Sequence, residues 1–587
     1  VLFRSQFPFI IDGEQKTFSH RIWIDTTING FNSEAQNAID KLHVARLGLI
    51  DLQNDSVDWE KLDAGLYGEK ASSVKYDLRE HQQKAFDATI KYFENHERGK
   101  LIMACGTGKT FTSLRIAEGL ATDSHLVLFL VPSIALLSQT LKEWSAQCKQ
   151  NIYPICICSD AKASKANDDT ISNLVLPATT DTNKVRSQFL NFKRRQAKEG
   201  GMIVVFSTYQ SIDVIGQVQK AINTKYSHTE LDSGSQMLNQ VQHDKESFIF
   251  DLIVCDEAHR TTGYTPNGKL DSAFVKVHSD SNVKAKKRLY MTATPKLYDT
   301  NAQSKSKETE TTLWSMDDPE IYGEEIYRIG FGEAVEKKLL SDYKVVVLTL
   351  DENSVNPKIQ QIILDQKTVD DKEIKADDAI KLIGCINVLS KRTNYLTDKE
   401  LFTDEDPQPM KSAVAFCSNI ENSKYLRDSF NVCQKAYYEN MSEEARSELV
   451  VVEADHVDGS MGSSIREEKL DWLKKADSGK KECRILNNVR CLSEGVDVPS
   501  LDAILFLSSR NSEVDVVQSV GRVMRRAEGK KYGYIIIPVI VPSNSDASEI
   551  LDKSDDFKIV WTVLKALRAH DDRFNRSEEH TSDLQSR

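Results

Sequence analysis

A glycine-rich segment, Gly106-Thr107-Gly108-Lys109-Thr110, has the composition of a phosphate-binding loop. It follows an apolar run at residues 101–104 and precedes a helical stretch at residues 111–120. Backbone N–H groups at the start of a helix favour phosphate oxygens, so the first three residues are candidate phosphate contacts. In this pattern the lysine reaches the β- and γ-phosphates and the threonine hydroxyl binds Mg²⁺. Met103 replaces the glycine of the strict pattern, and a structural glycine-rich turn is the alternative for this segment alone.

A second segment, Asp256-Glu257-Ala258-His259, directly follows an apolar run. At the end of a strand, Asp256 could bind Mg²⁺ through water, and Glu257 could polarise an attacking water as a general base. His259 is placed to sense the nucleotide across a cleft. Four such residues alone could equally be a surface loop, but the glycine-rich segment upstream favours a hydrolytic site.

A third segment, at residues 518–525, supplies two arginines far downstream. Arg522 and Arg525 are three residues apart on a predicted helix, so they share one face. Phosphoryl transfer depends mainly on positioning and on positive charge near the transferring group, so we predict that both reach the γ-phosphate from another domain. Gln518 is a predicted nucleotide contact. A basic surface helix is the alternative for this segment alone.

The elements that must position these residues are predicted to form an α/β fold. Short, nearly continuous apolar runs predict buried parallel strands. These candidate strands lie at residues 101–104, 126–131, 202–206, 248–255, 289–291, 343–350, 412–416, 483–487, 503–507 and 534–541. A polar stretch at residues 301–312 predicts a linker between two sheets, and therefore a ligand cleft between two domains. The sequence places these domains at residues 71–312 and 313–545, the second opening with a helix at residues 332–340, and predicts a surface insertion at residues 213–246.

Composition narrows the class of protein. The net charge of −12 argues against nucleic acid wrapping the whole surface, although a few lysines and arginines on one face would suffice for local contacts. Residues 193–195 and 284–288 are candidate basic tracks, with a solvated charged face as the alternative. The sequence contains neither a secretory signal nor an apolar run long enough to span a bilayer. Ten scattered cysteines are typical of reduced thiols, and we predict a cytoplasmic protein without membrane association.

The two ends of the chain require separate treatment. Residues 1–5 and 576–587 resemble translated sequencing-adapter read-through, with a genuine polar tail as the alternative. We therefore expect a fragment of a longer reading frame. Residues 6–70 are predicted to be the end of an upstream domain, and residues 546–575 the start of a downstream helical domain with a helix at residues 557–567.

Taken in order along the chain, the motifs resemble those of superfamily 2 helicase-type motors over residues 75–545. The resemblance implies two tandem RecA-like (P-loop NTPase) domains with an interdomain ATP cleft, and it implies ATP and Mg²⁺ as cofactors. It also implies that Arg79 and Gln82 form the adenine-reading element and that Gly495 and Asp497 contact the ribose. The nucleic-acid contacts that it implies are Pro132, Ser133, Ser207, Thr208, Tyr209, Thr292, Thr294, Ser418, Asp458 and Gly459.

A narrower resemblance links the chain to restriction enzymes. Residues 99–105 and 567–574 are similar to the motor of single-polypeptide (type ISP) restriction–modification enzymes, and the type I restriction motor subunit is the nearest competitor. In type ISP enzymes a nuclease precedes the motor, while a coupler, a methyltransferase and a target-recognition domain follow it. We assign no nuclease chemistry to residues 6–70.

The leading hypothesis is an ATP-dependent translocase that moves along DNA, with double-stranded DNA as the expected partner. A strand-separating DNA or RNA helicase is an alternative within the enzymes. A nucleotide-gated DNA clamp that does not hydrolyse ATP is an alternative from another class, and the intact Glu257 and both arginines argue against it.

Overall fold

The fold is taken from a computed structural model of the chain, which describes the greater part of residues 73–574 and short pieces before them. The described residues are 9–11, 14–16, 22–25, 45–48, 57, 59–66, 73–158, 178–227, 248–266, 271–298, 311–366, 372–392, 402, 406, 408–476, 481–489, 492, 501–508, 512–541 and 555–574. The predicted adapter segments and most of the predicted linker at residues 301–312 lie outside these ranges, as do Gly495 and Asp497.

Short elements precede the first large domain. Strands β1 (Phe9–Ile11) and β2 (Glu14–Lys16) pair antiparallel, and β3 (Ile22–Asp25) and β4 (Ala45–Gly48) pair parallel. Helix α1 (Trp59–Asp63) follows them.

The first domain contains a seven-stranded sheet in which every pairing is parallel, as the continuous apolar runs predict. Its strands are β5 (Arg98–Met103), β6 (Leu126–Val131), β7 (Ile152–Ile157), β8 (Met202–Thr208), β9 (Phe250–Cys255), β11 (Ala285–Thr292) and β13 (Glu324–Ile329), in the order β13-β5-β11-β9-β6-β8-β7. A separate antiparallel ribbon joins β10 (Gly263–Pro266) to β12 (Thr311–Trp314). The helices are α2 (Glu80–Tyr92), α3 (Lys109–Leu120), α4 (Ile134–Gln147), α5 (Thr182–Glu199), α6 (Ile212–Ser227) and α7 (Pro319–Tyr322).

The second domain contains a six-stranded sheet, again with parallel pairings throughout. Its strands are β14 (Asp342–Leu350), β15 (Ser412–Phe416), β16 (Val451–His456), β17 (Glu482–Asn488), β18 (Ala503–Phe506) and β19 (Tyr532–Ile540), in the order β14-β19-β18-β15-β17-β16. The helices are α8 (Phe331–Glu336), α9 (Pro357–Leu364), α10 (Ala376–Leu389), α11 (Ile420–Glu439), α12 (Glu443–Ser447), α13 (Ser463–Lys474), α14 (Glu513–Val523) and α15 (Asp555–His570). The two tandem RecA-like α/β domains that the sequence predicts are therefore confirmed.

The first sheet extends further along the chain than the sequence predicts. Strand β13 pairs with β5, and Lys100 Nζ donates a hydrogen bond to the Met316 carbonyl at 2.8 Å. Residues 313–329 therefore belong to the first domain, and the predicted boundary at residues 312/313 is too early. Because β13 is a partly exposed edge strand with glutamates at its start, it lacks the continuous apolar run that identifies the central strands.

Two other predictions differ from the structure. The predicted insertion at residues 213–246 begins as helix α6, which buries Ile215, Val218 and Ile222 on one face; residues 228–247 lie outside the described ranges. The predicted helix at residues 332–340 is shorter, because α8 ends at Glu336 and a turn replaces its last residues.

The downstream helix α15 packs against α14 and β19, so it belongs to the same body as the second domain. Past its end, Asp571 accepts a hydrogen bond from the Tyr343 hydroxyl at 2.8 Å, and Arg573 pairs with Asp342 at 3.0 Å. In the described ranges, every helix is too short or too polar to cross a membrane.

Candidate nucleotide-binding site

The glycine-rich loop lies between β5 and α3, and its backbone requires glycine at two positions. Gly106 and Gly108 have φ angles of +84° and +86°, in the left-handed region that side chains disfavour. A Cβ atom on Gly108 would lie 2.4 Å from Gln82 Nε2, so the Gln82 amide would have to move away from the loop. The Thr107 hydroxyl donates to the Ala104 carbonyl at 2.7 Å and closes the loop on itself.

Helix α2 supports this loop from behind. The Gln82 amide accepts a hydrogen bond from Arg79 N at 2.9 Å and donates one to the Gly108 carbonyl at 3.4 Å. The His81 ring also bonds the Thr107 carbonyl, at 2.9 Å. Arg79 lines the cleft, whereas Gln82 is buried with both polar ends of its amide engaged. Gln82 thus holds the loop, a role that the sequence did not predict, and its contact with a base stays a prediction.

Lys109 presents a buried ammonium group at the base of the cleft. Its Nζ lies 3.8 Å from Glu257 Oε1 and has no hydrogen-bond partner in the described part of the chain. Burial by itself would lower the pKa of Lys109, but its neighbours Glu257, Cys105 and Asp256 together outweigh burial and raise that pKa. A charged ammonium with unmet N–H donors beside a glycine loop matches the phosphate oxygens of a nucleotide.

Asp256 and Glu257 follow β9 and face Lys109. Burial, and then the neighbouring Glu257 charge, raise the pKa of Asp256. Burial by itself would also raise the pKa of Glu257, but Lys109, His259 and Arg260, with a hydrogen bond from Gln518, together outweigh burial and lower that pKa. These two adjacent carboxylates line the same cleft as Thr110, and the set fits a divalent cation, which would relieve the repulsion between the carboxylates. Glu257 Oε2 is buried, lies 3.5 Å from His259 Nδ1 and makes no hydrogen bond within the described ranges.

His259 connects the loop that follows β9 and carries Asp256 and Glu257 (the hydrolytic loop) to the end of β11. Its Nδ1 lies 3.0 Å from Thr292 Oγ1 and 3.4 Å from Thr294 Oγ1. Burial lowers the pKa of His259 to about 4, so the ring is neutral near pH 7. The Tyr209 hydroxyl donates to the Asp256 carbonyl at 2.8 Å. Two of the predicted nucleic-acid motifs therefore contact the hydrolytic loop directly.

Most of the predicted nucleic-acid contacts have buried side chains that bond within the protein. Ser207 donates to the Ile157 carbonyl at 2.8 Å, and Asp458 bonds the His456 ring at 2.8 Å. Contact with nucleic acid stays a prediction for the residues with buried side chains, which are Pro132, Ser207, Thr208, Tyr209, Thr292, Thr294 and Asp458. Ser418 and Gly459 are exposed and Ser133 is half-buried, so contact with nucleic acid stays a prediction for these three.

The basic tracks that the sequence suggests are used within the first domain. Arg288, with a side chain only 2% exposed, donates to the Val277 carbonyl at 2.9 Å. Lys286 bonds Asp123 and Asp251, and Lys193 donates to the Ser124 carbonyl. The structure therefore favours structural roles for these cations.

Helix α14 of the second domain closes the cleft over the glycine loop. Gly521 packs on Cys105 so tightly that a Cβ atom on Gly521 would lie 2.5 Å from Cys105 Cβ. This approach places Gln518, Arg522 and Arg525 in the wall of the same cleft as Lys109 and Glu257. The cleft has a volume of about 780 Å³, within the range of roughly 300–1,000 Å³ that is usual for ligand sites.

Several cleft residues were missed by sequence reasoning. They are Leu136, Gln139 and Glu143 of α4, the turn residues Lys338, Leu339 and Leu340, and Arg526, Ala527 and Glu528 beyond α14. The three α4 residues lie at helical spacing on one face, and Trp144 Nε1 donates to the Thr110 carbonyl at 3.1 Å, which fixes α4 against α3. The sequence shows this helical spacing and so could have predicted a shared face on α4, whereas the turn residues follow no recognisable pattern.

Three family models match the chain. They are described as “Type III restriction enzyme, res subunit” at residues 75–297, “Helicase conserved C-terminal domain” at residues 398–527 and “Restriction endonuclease” at residues 8–69. The first two match within the two domains that form the cleft.

Solved structures and a curated relative resemble the chain over most of its length. The DNA-bound type ISP restriction–modification enzyme LlaBIII has 37% identity and a TM-score of 0.70, covering 94% of this chain and 34% of that one. A nuclease-deletion mutant of the type ISP enzyme LlaGI, in complex with a DNA substrate mimic, has 33% identity and a TM-score of 0.52, covering 85% and 29%. “Probable helicase A859L” of African swine fever virus (isolate Tick/South Africa/Pretoriuskop Pr4/1996) is 23% identical over 501 residues, 84% of this chain and 44% of the viral protein. The chain therefore spans about a third of the solved relatives and less than half of the viral one.

Proposed function

We propose that the chain is a superfamily 2 helicase-type motor, similar to the motor of type ISP restriction–modification enzymes, and that it translocates along DNA by hydrolysing ATP. The observation that carries the proposal is the placement of Arg522 and Arg525 in the same cleft as Lys109 and Glu257. A phosphate loop on one domain and arginines on the other make hydrolysis depend on how the two domains meet.

The residues of the cleft divide the work of hydrolysis. Lys109 binds the β- and γ-phosphates, and the N–H groups of the glycine loop hold the phosphate oxygens. Thr110 and Asp256 would hold Mg²⁺, which when bound supplies positive charge to the phosphates. Glu257 Oε2 orients the attacking water and accepts its proton, since this oxygen has no competing hydrogen bond in the described ranges.

The second domain completes the site. Arg522 and Arg525 stabilise the negative charge that develops on the γ-phosphate oxygens, and Gln518 extends toward Glu257 from the same helix. Tyr209 and His259 connect the hydrolytic loop to loops whose exposed neighbours would contact DNA. Through these bonds, a strand bound at the loops would affect the position of Asp256 and Glu257.

We further propose that duplex DNA is the track and that this motor works beside other domains of one longer polypeptide. Support comes from the two type ISP relatives, which are described with DNA or a DNA mimic, and from the restriction endonuclease match at residues 8–69. A coupler, a methyltransferase and a target-recognition domain are the other proposed partners. The proposed place of action is the cytoplasm, where buried thiols such as Cys156 and Cys255 stay reduced.

Phosphate release in the presence of DNA tests the ATPase. Lys109→Ala should abolish DNA-stimulated hydrolysis, because it removes the only charged contact of the glycine loop to the phosphates. Lys84→Ala is the matched control, since Lys84 is an exposed residue of α2 that pairs with Glu80. DNA-stimulated hydrolysis that survives Lys109→Ala would overturn the assignment.

A triplex-displacement assay tests translocation. A motor that tracks duplex DNA displaces a third strand without separating the duplex, and this is the expected result. Robust unwinding of short duplexes would instead identify a strand-separating helicase. DNA binding that responds to nucleotide without any phosphate release would identify a clamp.

A further inference from the structure

The turn at residues 338–341, between α8 and β14, contacts both halves of the proposed ATPase site. Lys338, Leu339 and Leu340 line the cleft, although none belongs to a motif that the sequence identifies. We propose that this turn couples the glycine loop to the arginine-bearing helix α14, with Leu340 as the positioning residue. The proposal rests on the ATPase function proposed above and assigns this segment a role in it.

The turn is bonded to the end of α14. Ser341 N donates a hydrogen bond to the Met524 carbonyl at 2.7 Å, and Arg526 Nη1 donates to the Lys338 carbonyl at 2.5 Å. The last carbonyls of a helix lack partners within the helix, so such bonds fix the helix end in place. Arg522 lies in the last turn of α14, whereas Arg525 lies two residues beyond the helix end and not on the helix face that the sequence predicts. The position of the turn therefore determines where the two arginines lie.

The same turn touches the glycine loop through Leu340, which is only 3% exposed. A Cβ atom on Gly106 would lie 3.0 Å from Leu340 Cδ2 and 3.7 Å from Arg525 Cγ. Leu340 and the aliphatic stem of Arg525 therefore cover one side of Gly106. A shift of the loop backbone toward this side of Gly106 would displace one or both of these side chains.

The turn is held against α8 by backbone hydrogen bonds. The backbone N–H groups of Leu339 and Leu340 both donate to the Ala334 carbonyl, at 2.8 and 3.2 Å. Lys338 has a φ angle of +55°, which is uncommon for a residue with a side chain and persists where the surroundings dictate it. Because the turn is tied to α8 in this way, it transmits a displacement to α14 instead of absorbing it.

The competing explanation is that Leu340 only fills core space. A residue that only fills the core (a filler) and a residue that couples the loop to α14 (a coupler) differ in which property is lost when the side chain is shortened. Loss of a filler lowers stability wherever it lies, whereas loss of the coupler slows the chemical step without weakening ATP binding. Coupling through Leu340 also predicts that its effect disappears once the arginine that it positions has been removed.

The experiment measures DNA-stimulated ATP hydrolysis and ATP affinity on the full chain for Leu340→Ala, Leu340→Met and Leu348→Ala. Leu348 is a buried leucine of β14 in a different core cluster, and its truncation is the matched control for core loss. We expect Leu340→Ala to lower kcat at least ~10-fold while the Kd for ATP changes less than ~3-fold. Leu340→Met should restore most of kcat. In an Arg525→Ala background, Leu340→Ala should cost less than about a further 3-fold.

Thermal melting accompanies each assay, and Leu340→Val provides a smaller truncation if Leu340→Ala melts below the assay temperature. A loss of kcat no larger than that of Leu348→Ala would overturn the inference while leaving the ATPase intact. So would a loss confined to ATP affinity, or one that multiplies with that of Arg525→Ala. A wild-type chain that hydrolyses no ATP with DNA would instead overturn the proposed function, and this inference with it.

Discussion

The close contact between Gly521 and Cys105 predicts how far one methyl group added at residue 521 would move α14 from the glycine loop. In Gly521→Ala the new Cβ would lie 2.5 Å from Cys105 Cβ. Carbon atoms in contact prefer about 3.5–4.0 Å, so α14 and the glycine loop must separate by roughly 1–1.5 Å. Alanine favours a helix more than glycine does, so α14 itself is not weakened.

Such a displacement moves Arg522 and Arg525 away from the phosphates. A misplacement of about 1 Å at a reacting centre can cost ~10²-fold in rate, equivalent to about 2.7 kcal/mol of transition-state stabilisation. We therefore expect Gly521→Ala to lower kcat for DNA-stimulated hydrolysis by about that factor. Binding of ATP should change little, because Lys109 and the glycine loop belong to the first domain.

Steady-state phosphate release gives kcat, and a fluorescent nucleotide analogue gives affinity. Gly462→Ala is the control in the second domain, since a Cβ atom there would meet nothing within 4 Å. Cys105→Gly removes the opposing Cβ and should recover part of the activity of Gly521→Ala. If Gly521→Ala keeps kcat within about 3-fold of wild type, or if Cys105→Gly recovers nothing, closure through this contact is refuted.

Three further predictions concern other residues. Arg525→Ala should lower kcat by about 10³-fold if it stabilises the γ-phosphate in trans, with Arg446→Ala as a control far from the cleft, and phosphate release measures both. Burial lowers the pKa of His278 from 6.5 to about 3, so the unfolded chain binds the extra proton and stability falls as pH drops through that window. Melting curves should show the fall, by up to ~1.4 kcal/mol per pH unit, and a shallower one for His278→Gln. Tyr209→Phe should cost ~1 kcal/mol of stability, measured by denaturant unfolding, and weaken DNA stimulation, because the Asp256 carbonyl loses its donor.

The central strands could be predicted from the sequence because they are buried on both faces. Strand β6, for example, is apolar throughout, and its predicted and observed limits agree at residues 126–131. Edge strands gave weaker signals. Strand β7 contains Pro154 and lies at the end of the strand order, next to β8, and β13 begins with two glutamates. Both went unrecognised as strands of the first sheet.

Helix α6 was not predicted, for a different reason. Its buried isoleucines and valine are separated by polar residues, and a long polar stretch follows them, so the whole segment was interpreted as a surface insertion. A count of apolar residues at three- and four-residue spacing would have identified the face that packs on the sheet.

The candidate site also contains residues that local motifs predict and contacts that they do not. Lys109, Asp256, Glu257 and Arg525 follow from local motifs, and the structure brings them to one cleft. The bond from Gln82 to Gly108 and the contact of Leu340 with Gly106 join residues that are distant in sequence or carry no motif. Such contacts depend on how the two sheets and their loops meet, and that information is absent from any single segment.

The membership of β13 in the first sheet determines where the chain can be divided for expression. A recombinant fragment ending at residue 312 would leave β5, the strand that leads into the glycine loop, as an unpaired edge beside the nucleotide site. Exposed strand edges invite association between chains, so such a fragment would tend to aggregate through the element that matters most for ATP. A fragment carried through Ile329 retains the complete sheet and is the sensible unit for isolated nucleotide-binding measurements.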